Sequence, residues 1–441
     1  MTTPTLEDEV NGAPDHLSWL TRPLSAWWCA LGWLAATAVF GGLTKLLHGP
    51  NVGDAVESVY STWAIAHGHW SCAYPAGGAG NLAFGAPLYP LLAGAVAWMS
   101  RIGDSAPFPS TAQMGPHCSN AVNAMYQWSL RSNSIWHTLN IGYLSWLALM
   151  AGIIVLLRAS GRGKCGWEPT ALLIVACLPP VFMCVQYTFH PQDLVAMGFA
   201  LAALGCGRCD RWIWAGVLIG LALMTQQYAV LVAAPLFVMT PRSRRVTFVL
   251  SGACAVAALS LPLAVATSGH VLRAIFVGTG NTPSFGGTVL WETHLSGAML
   301  FVISRVLPIA LSMTLAWWAV RRLGPDVLEP VPMLSVIATS LCFRLVFEEN
   351  LFGYYFMAVA VALVLLEIMQ GRISVYLVGW VALNALYFYP LPWGNDPVRG
   401  WLAIWTFQVV LVAGALVMAV LPLRSFIRSR EDSALIAVAR D

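Results

Sequence analysis

The residues most able to do chemistry in this chain are charged groups set where charge is expensive. Asp54 stands a few residues beyond the first long apolar segment, in GDAVESVYSTWAIAHGHW. Val56, Tyr60, Trp63 and Ile65 give that stretch the apolar face of a helix lying at a membrane interface. A carboxylate at such a helix start can cap backbone N–H groups and favours the positive helix end; the same position can also aim it at a cavity. Arg305 falls about one-third of the way into an apolar stretch, where a cation is costly and by default functional; the plainer alternatives are an internal pair or a side chain that snorkels outward. Arg344 precedes Glu348 by one helical turn, so an i,i+4 ion pair is its plain reading. Glu348, Glu349 and Asn350 close one apolar stretch, His190 and Gln192 open another, and Glu292 and His294 lie between two more. Each of these can equally be a solvated turn. The carboxylates and histidines show no metal-ligand spacing, and no metal is expected.

The elements that position these residues follow from composition. The chain has 441 residues, 58% hydrophobic and 10% charged, with a net charge of +3 and a mean hydropathy of +0.70. Soluble domains carry roughly 25% charged residues, so the bilayer must be the main solvent. The small net charge gives no reason to expect a nucleic-acid partner. A crossing helix needs about 20 apolar residues. Segments 24–47, 137–158, 168–188, 246–268, 297–320, 328–346, 351–369, 373–390 and 399–423 meet that need. The region 193–240 is broken by RCDR and by Gln226–Gln227, and reads as one shortened span plus a two-legged hairpin. The expectation is an all-α polytopic bundle of about twelve transmembrane helices. Residues 1–23 form a cytoplasmic N-terminal segment, 24–423 the membrane domain with an extracytoplasmic loop at 48–136, and 424–441 a cytoplasmic tail.

Orientation follows from the cations, since Lys and Arg concentrate in cytoplasmic loops. With both termini cytoplasmic, Arg158, Arg162, Lys164, Arg208, Arg211, Arg242, Arg244, Arg245, Arg321, Arg322 and Arg372 all fall inside. The polar outer residues then collect in the first loop and four later turns. Within the first loop, 86–100 is apolar but too short to cross and reads as re-entrant or interfacial. Cys72 and Cys118 are the cysteines of that loop, and outside the cytoplasm a disulfide between them can persist. Cys206 and Cys209 form a lone C-G-R-C pair on the inner side, insufficient for zinc.

A first transmembrane helix, an acidic residue just beyond it, a helix ending HG-x-W-x-x-x-YP and a later YP-L motif resemble the GT-C superfamily of membrane glycosyltransferases. The matching positions are Asp54, Tyr60, Gly68, Tyr74, Pro75, Tyr89 and Pro90. His190, Gln192 and Asp193 resemble a Gly-Gln-Asn-type turn of that group, and Gln226 or Gln227 stands where Lys is common. The pattern is most similar to actinobacterial mannosyltransferases of phosphatidylinositol mannoside and lipoglycan synthesis, with arabinofuranosyltransferases next.

The resemblance implies a polyprenyl-phosphate sugar as donor, with mannose favoured, and a lipid- or glycan-linked acceptor, with no separate cofactor. It implies an integral cell-membrane enzyme, bathed in membrane lipids, with its site on the extracytoplasmic (periplasmic) face. A glycosyl phosphate already has a good leaving group, so an inverting displacement needs only a base for the acceptor hydroxyl. Asp54 takes that role in this reading, and Arg305 and Arg344 hold the donor phosphate. Glu348, Glu349, Asn350, His190, Gln192, Glu292, His294 and Tyr89 are the candidates for sugar or acceptor binding. The rival readings are a transporter or flippase of a lipid-linked sugar, and a scaffold subunit of an envelope-synthesis complex.

Overall fold

A computed structural model describes residues 18–46, 60–74, 88–99, 106–132, 134–187, 189–272, 299–300, 302–348, 353–388 and 397–438. The longer helices, in chain order, are α1 (Ala26–Leu46), α2 (Leu88–Met99), α3 (Ala121–Ser132), α4 (Ser134–Ala159), α5 (Trp167–Ala176), α6 (Pro191–Arg208) and α7 (Trp212–Leu223). They continue with α8 (Val230–Met239), α9 (Arg245–Ala266), α10 (Leu307–Leu323), α11 (Pro330–Phe347), α12 (Phe356–Met369), α13 (Val375–Phe388) and α14 (Pro397–Val438). Two short strands, β1 (Ser18–Leu20) and β2 (Ile373–Ser374), pair antiparallel with Ser18 opposite Ser374 and Leu20 opposite Ile373.

The protein is an all-α membrane protein. Among the described residues five helices are long and apolar enough to cross a bilayer, or six if one bent pair counts as a single span. The expected twelve is not reached among these residues. Segments 193–240, 351–369 and 373–390 fold into helices of 10 to 18 residues, most of them shorter than the roughly 20 residues a straight crossing requires. The expected span 168–188 is likewise not one rod. Pro179 and Pro180 lack the N–H groups a continuing helix would use, and the axis turns by 66° there. In 193–240, α7 and α8 are separated by the turn at Gln226 and Gln227. They pack mainly on other helices: α7 on α6 and α9, α8 on α10 and α11. The last span continues without interruption through the expected tail, making α14 a single helix of 42 residues.

The centre of the bundle is α12. It is apolar around nearly its whole circumference and buried on every side, as expected of a helix fully surrounded by others. It packs on α11, α5 and α14. At the rim, α9 turns Val246, Val249, Leu250, Leu261 and Val265 outward, the pattern of a lipid-facing helix.

Close helix crossings are made by glycine. A Cβ on Gly152 or Gly198 would drive into the backbone of the facing helix, so α4 and α6 touch main chain to main chain. Gly216 and Gly220 do the same for α7 against α9, where Gly252 sits in tight contact with Gly216. In lipid, where apolar burial gives little drive to associate, this small-residue packing holds helices together.

The segment between α1 and α4 builds a second, smaller core. Tyr60, Trp63, Met114, Met125 and Trp128 bury together, and Cys72 is bridged to Cys118 at a Cα–Cα distance of 5.4 Å. The Tyr60 hydroxyl donates to the Cys72 carbonyl and the Trp128 indole to that of Ala106. Within the 86–100 stretch, residues 88–99 fold as the 12-residue α2, whose first N–H, on Leu88, donates to the Met224 carbonyl.

The glycine crossings yield a direct test. Gly198→Leu overpacks the α4–α6 contact and should cost about 1–3 kcal/mol or more, read as a lowered melting temperature in detergent. Gly379→Ala, in the interior of α13 with nothing within 4 Å of the added Cβ, should leave it unchanged or slightly raised. Equal behaviour of the two variants would contradict the proposed packing.

Candidate functional site

Four groups of residues, most of them in short non-α segments, converge at one end of the bundle. After the Pro179–Pro180 break the chain runs through a π-turn at Met183–Tyr187. Gly142 of α4 makes room for it, since a Cβ there would strike the Val185 carbonyl. Phe189 then takes a left-handed φ of 53°, uncommon for a bulky residue and a sign of constraint. Its ring is fully buried in the smaller core beside Cys72, Cys118 and Trp128. That anchor presents His190 at the start of α6, where Pro191 occupies the first helical position that suits its fixed φ. Asp193 lies in the first turn, favoured by the positive helix end.

The second segment is another π-turn, Val302–Val306, which carries Arg305 into α10. π-turns are rare and recur at functional sites. The third is the end of α11, which supplies Arg344 and, just past Phe347, Glu348. The fourth is a pair of single turns, Gln227–Ala229 and Gly353–Tyr355, which add Tyr228, Tyr354 and Tyr355.

Glu348 is the hub. Its side chain is 5% exposed, and Arg344 Nε donates to its Oε2 at 3.1 Å. Arg305 Nη1 lies 3.6 Å from the other oxygen. One buried carboxylate therefore bridges two guanidiniums. The two differ in freedom. The Arg344 side chain is 15% exposed, with its guanidinium 4.2 Å above the Tyr355 ring and 5.2 Å above that of Tyr228. Cation–π contact of this kind is strongest where water is excluded. The Arg305 side chain is 48% exposed and sits beyond hydrogen-bond distance of its partner, so it can turn a face to a ligand.

His190 stacks on Tyr354 with ring centroids 3.7 Å apart. The Gln192 amide donates to His190 Nδ1 at 3.3 Å, an arrangement that leaves the ring proton on Nε2. Burial and the Arg344 cation lower the His190 pKa to about 3, so the imidazole is neutral near pH 7. The Tyr228 hydroxyl donates to the Asp193 carbonyl at 2.7 Å, and the Gln226 side chain faces the Asp193 carboxylate.

Of the residues singled out by sequence, His190, Gln192, Arg305, Arg344 and Glu348 come together here. The Arg344–Glu348 pair is the i,i+4 contact that their spacing suggested, and it doubles as the anchor of Arg305. Tyr89 lies on α2 next to Leu88, whose N–H reaches the turn before Gln226. Asp54, Glu292, His294, Glu349 and Asn350 lie outside the described residues. Sequence reasoning did not single out the aromatic partners Tyr228, Tyr354 and Tyr355. It placed Asp193 in an outer turn and in a resemblance but gave it no role, although an acidic residue opening an apolar helix was a signal in its own right. Among the described residues no three His, Cys, Asp or Glu side chains gather in a way that could hold a metal ion.

Fold and site together define an all-α membrane protein with a charged, largely buried cluster at one end. The cluster lies wholly within residues 136–366, and that range, just over half of the chain, matches glycosyltransferase family 87. The chain belongs to glycosyltransferase family 87, and its activity is glycosyl transfer. No curated protein and no solved structure matches it.

Two stability tests follow. Removing one member of a buried ion pair costs about 3–5 kcal/mol, so Glu348→Leu should lower the melting temperature sharply. Arg344→Met combined with Glu348→Leu should recover most of that loss, whereas a double variant no better than the single would rule out coupling. For His190 the folded pKa of about 3 lies below the usual 6.5. The unfolded chain therefore takes up the proton first on acidification. The stability contributed by neutral His190 is complete above about pH 6.5 and declines progressively toward the folded value. His190→Phe, which keeps the stacking surface, should flatten that part of the stability curve.

Proposed function

We propose that this glycosyltransferase moves a sugar, mannose favoured, from a polyprenyl-phosphate donor to a lipid- or glycan-linked acceptor on the extracytoplasmic face. The observation that carries the reading is the pairing of Arg305 with Glu348. A half-exposed guanidinium held loosely by a buried carboxylate is suited to accept a phosphate, and it stands at the mouth of a polar cluster in a bundle otherwise solvated by lipid. A donor with a long apolar tail and an anionic head matches both environments.

In the proposed reaction the acceptor hydroxyl attacks the anomeric carbon from the face opposite the phosphate. The new C–O bond forms as the bond to the phosphate oxygen breaks, and the phosphate leaves with the electron pair. The acceptor proton passes to a carboxylate, which the sequence assigns to Asp54. Arg305 stabilises the charge growing on the leaving phosphate, and Arg344, behind Glu348, keeps Arg305 in place. Configuration at the anomeric carbon inverts.

The face assignment draws on the cations. Arg208 bonds the Ala159 and Leu328 carbonyls and pairs with Glu329, while Arg162 bonds the Met369 carbonyl. These contacts lie at the opposite ends of α6 and α11 from Asp193 and Glu348. By the positive-inside rule the arginine-rich end faces the cytoplasm, which supports an outer location for the cluster.

The test is transfer from a radiolabelled polyprenyl-phosphate sugar by purified protein. Glycosylated acceptor should form, and Asp54→Asn should lower the rate by about 10²–10⁴-fold, the worth of general-base assistance, with little change in melting temperature. Near-normal turnover of that variant would remove Asp54 from the mechanism. Lipid transport without product would overturn the reading itself.

A further inference from the structure

We infer that Asp193 and Gln192 form the subsite that grips the hydroxyl groups of the transferred sugar, an assignment that rests on the donor reading above. Both side chains are almost completely buried, Asp193 at 2% and Gln192 at 1% exposure. Yet Asp193 Oδ1 and Gln192 Oε1 have no hydrogen-bond partner. Buried polar atoms are nearly always paired, and an exception needs a reason.

The neighbouring contacts show what is missing. The Gln192 amide nitrogen is engaged by His190 Nδ1 at 3.3 Å, which fixes the amide plane and leaves its oxygen facing elsewhere. The Asp193 carboxylate has the Gln226 side chain on it, and its main-chain carbonyl holds the Tyr228 hydroxyl. Tyr228 also backs the Arg344 guanidinium. The two orphan atoms thus sit on adjacent residues held rigidly from behind. Both are acceptors, so the site lacks donors.

That requirement separates ligand chemistries. A phosphate offers acceptor oxygens and negative charge, which a carboxylate repels. A prenyl chain offers neither donor nor acceptor. Sugar hydroxyls supply several O–H donors, which is what acceptors of this kind require. The cluster accordingly divides in two, with the half-exposed Arg305 for the phosphate and the Asp193–Gln192 pair for the sugar. Asp193 and Gln192 are then specificity residues that orient the transferred sugar.

The test measures affinity of the full chain in lipid nanodiscs for polyprenyl phosphate and for its mannosyl and arabinofuranosyl esters. The unmodified protein should hold at least one sugar ester more tightly than the bare phosphate. Asp193→Ala should abolish that preference, a loss of about tenfold or more, while affinity for bare polyprenyl phosphate is retained. Asp193→Asn, which keeps the acceptor oxygen, should restore part of it. Arg305→Gln should weaken all three lipids alike. Gln192→Met, close in volume to the original, supplies the same comparison if Asp193→Ala does not fold. Equal weakening of all three lipids by the Asp193 and Gln192 variants, or no effect on any, would overturn the assignment. So would equal affinity of the unmodified chain for all three. If the unmodified chain bound none of them, the donor reading itself would fall and the subsite with it.

Discussion

Arg344 lies in a bundle that gives it almost no water, and a guanidinium cannot be left alone there. Removing an ion from water costs several kcal/mol even after relaxation, so the surrounding chain must return that solvation. Glu348 does so with charge, and Tyr228 and Tyr355 do so with the negative faces of their rings. These groups come from the end of α11, the turn before α8 and the turn before α12. One buried cation therefore dictates how three turns meet. Arg305 approaches the same carboxylate from a fourth segment, and His190 stacks on the tyrosine beside Tyr355. The polar cluster is the solvation shell of Arg344, extended outward until it reaches a group that can touch a ligand.

Phe189 carries the second constraint. Its ring is held in the disulfide-closed core while its backbone, in a left-handed turn, leads directly into His190 and α6. The smaller core and the main bundle are thereby locked at the residue that opens the candidate site. The glycine contacts between α4 and α6 complete this frame, because they bring α6 to within main-chain distance of α4 and fix where its first turn points.

Much of this was legible in the sequence, and the rest was hidden for definite reasons. The low charge content announced a membrane protein, and the Arg344–Glu348 spacing announced its pair. Cys72 and Cys118 stood apart as the cysteines of one segment, and the structure joins them. The helix count was less legible. A hydropathy reading measures whether a stretch would be content in lipid, and α12 satisfies that measure while being buried in protein at only 14 residues. The proline break after α5 was visible as Pro179–Pro180, but the apolar run through it concealed the bend. The aromatic half of the site could not be foreseen, because Tyr228 and Tyr354 reach His190 and Arg344 from far along the chain. Spacing reports neighbours within an element, not those assembled by tertiary packing.

The length of α14 has a mechanical meaning. At 1.5 Å per residue its 42 residues form a rod of about 63 Å, roughly twice the hydrocarbon thickness. Near its far end Glu431 pairs with Arg322, and Arg430 pairs with Asp326. Both partners lie where α10 ends, and α10 begins directly after the turn that carries Arg305. Two charge contacts thus join this rod to the end of a second, shorter rod whose other end carries the half-exposed cation. Both pairs are exposed, so raised ionic strength weakens this link while the buried Arg344–Glu348 pair at the opposite end is screened far less.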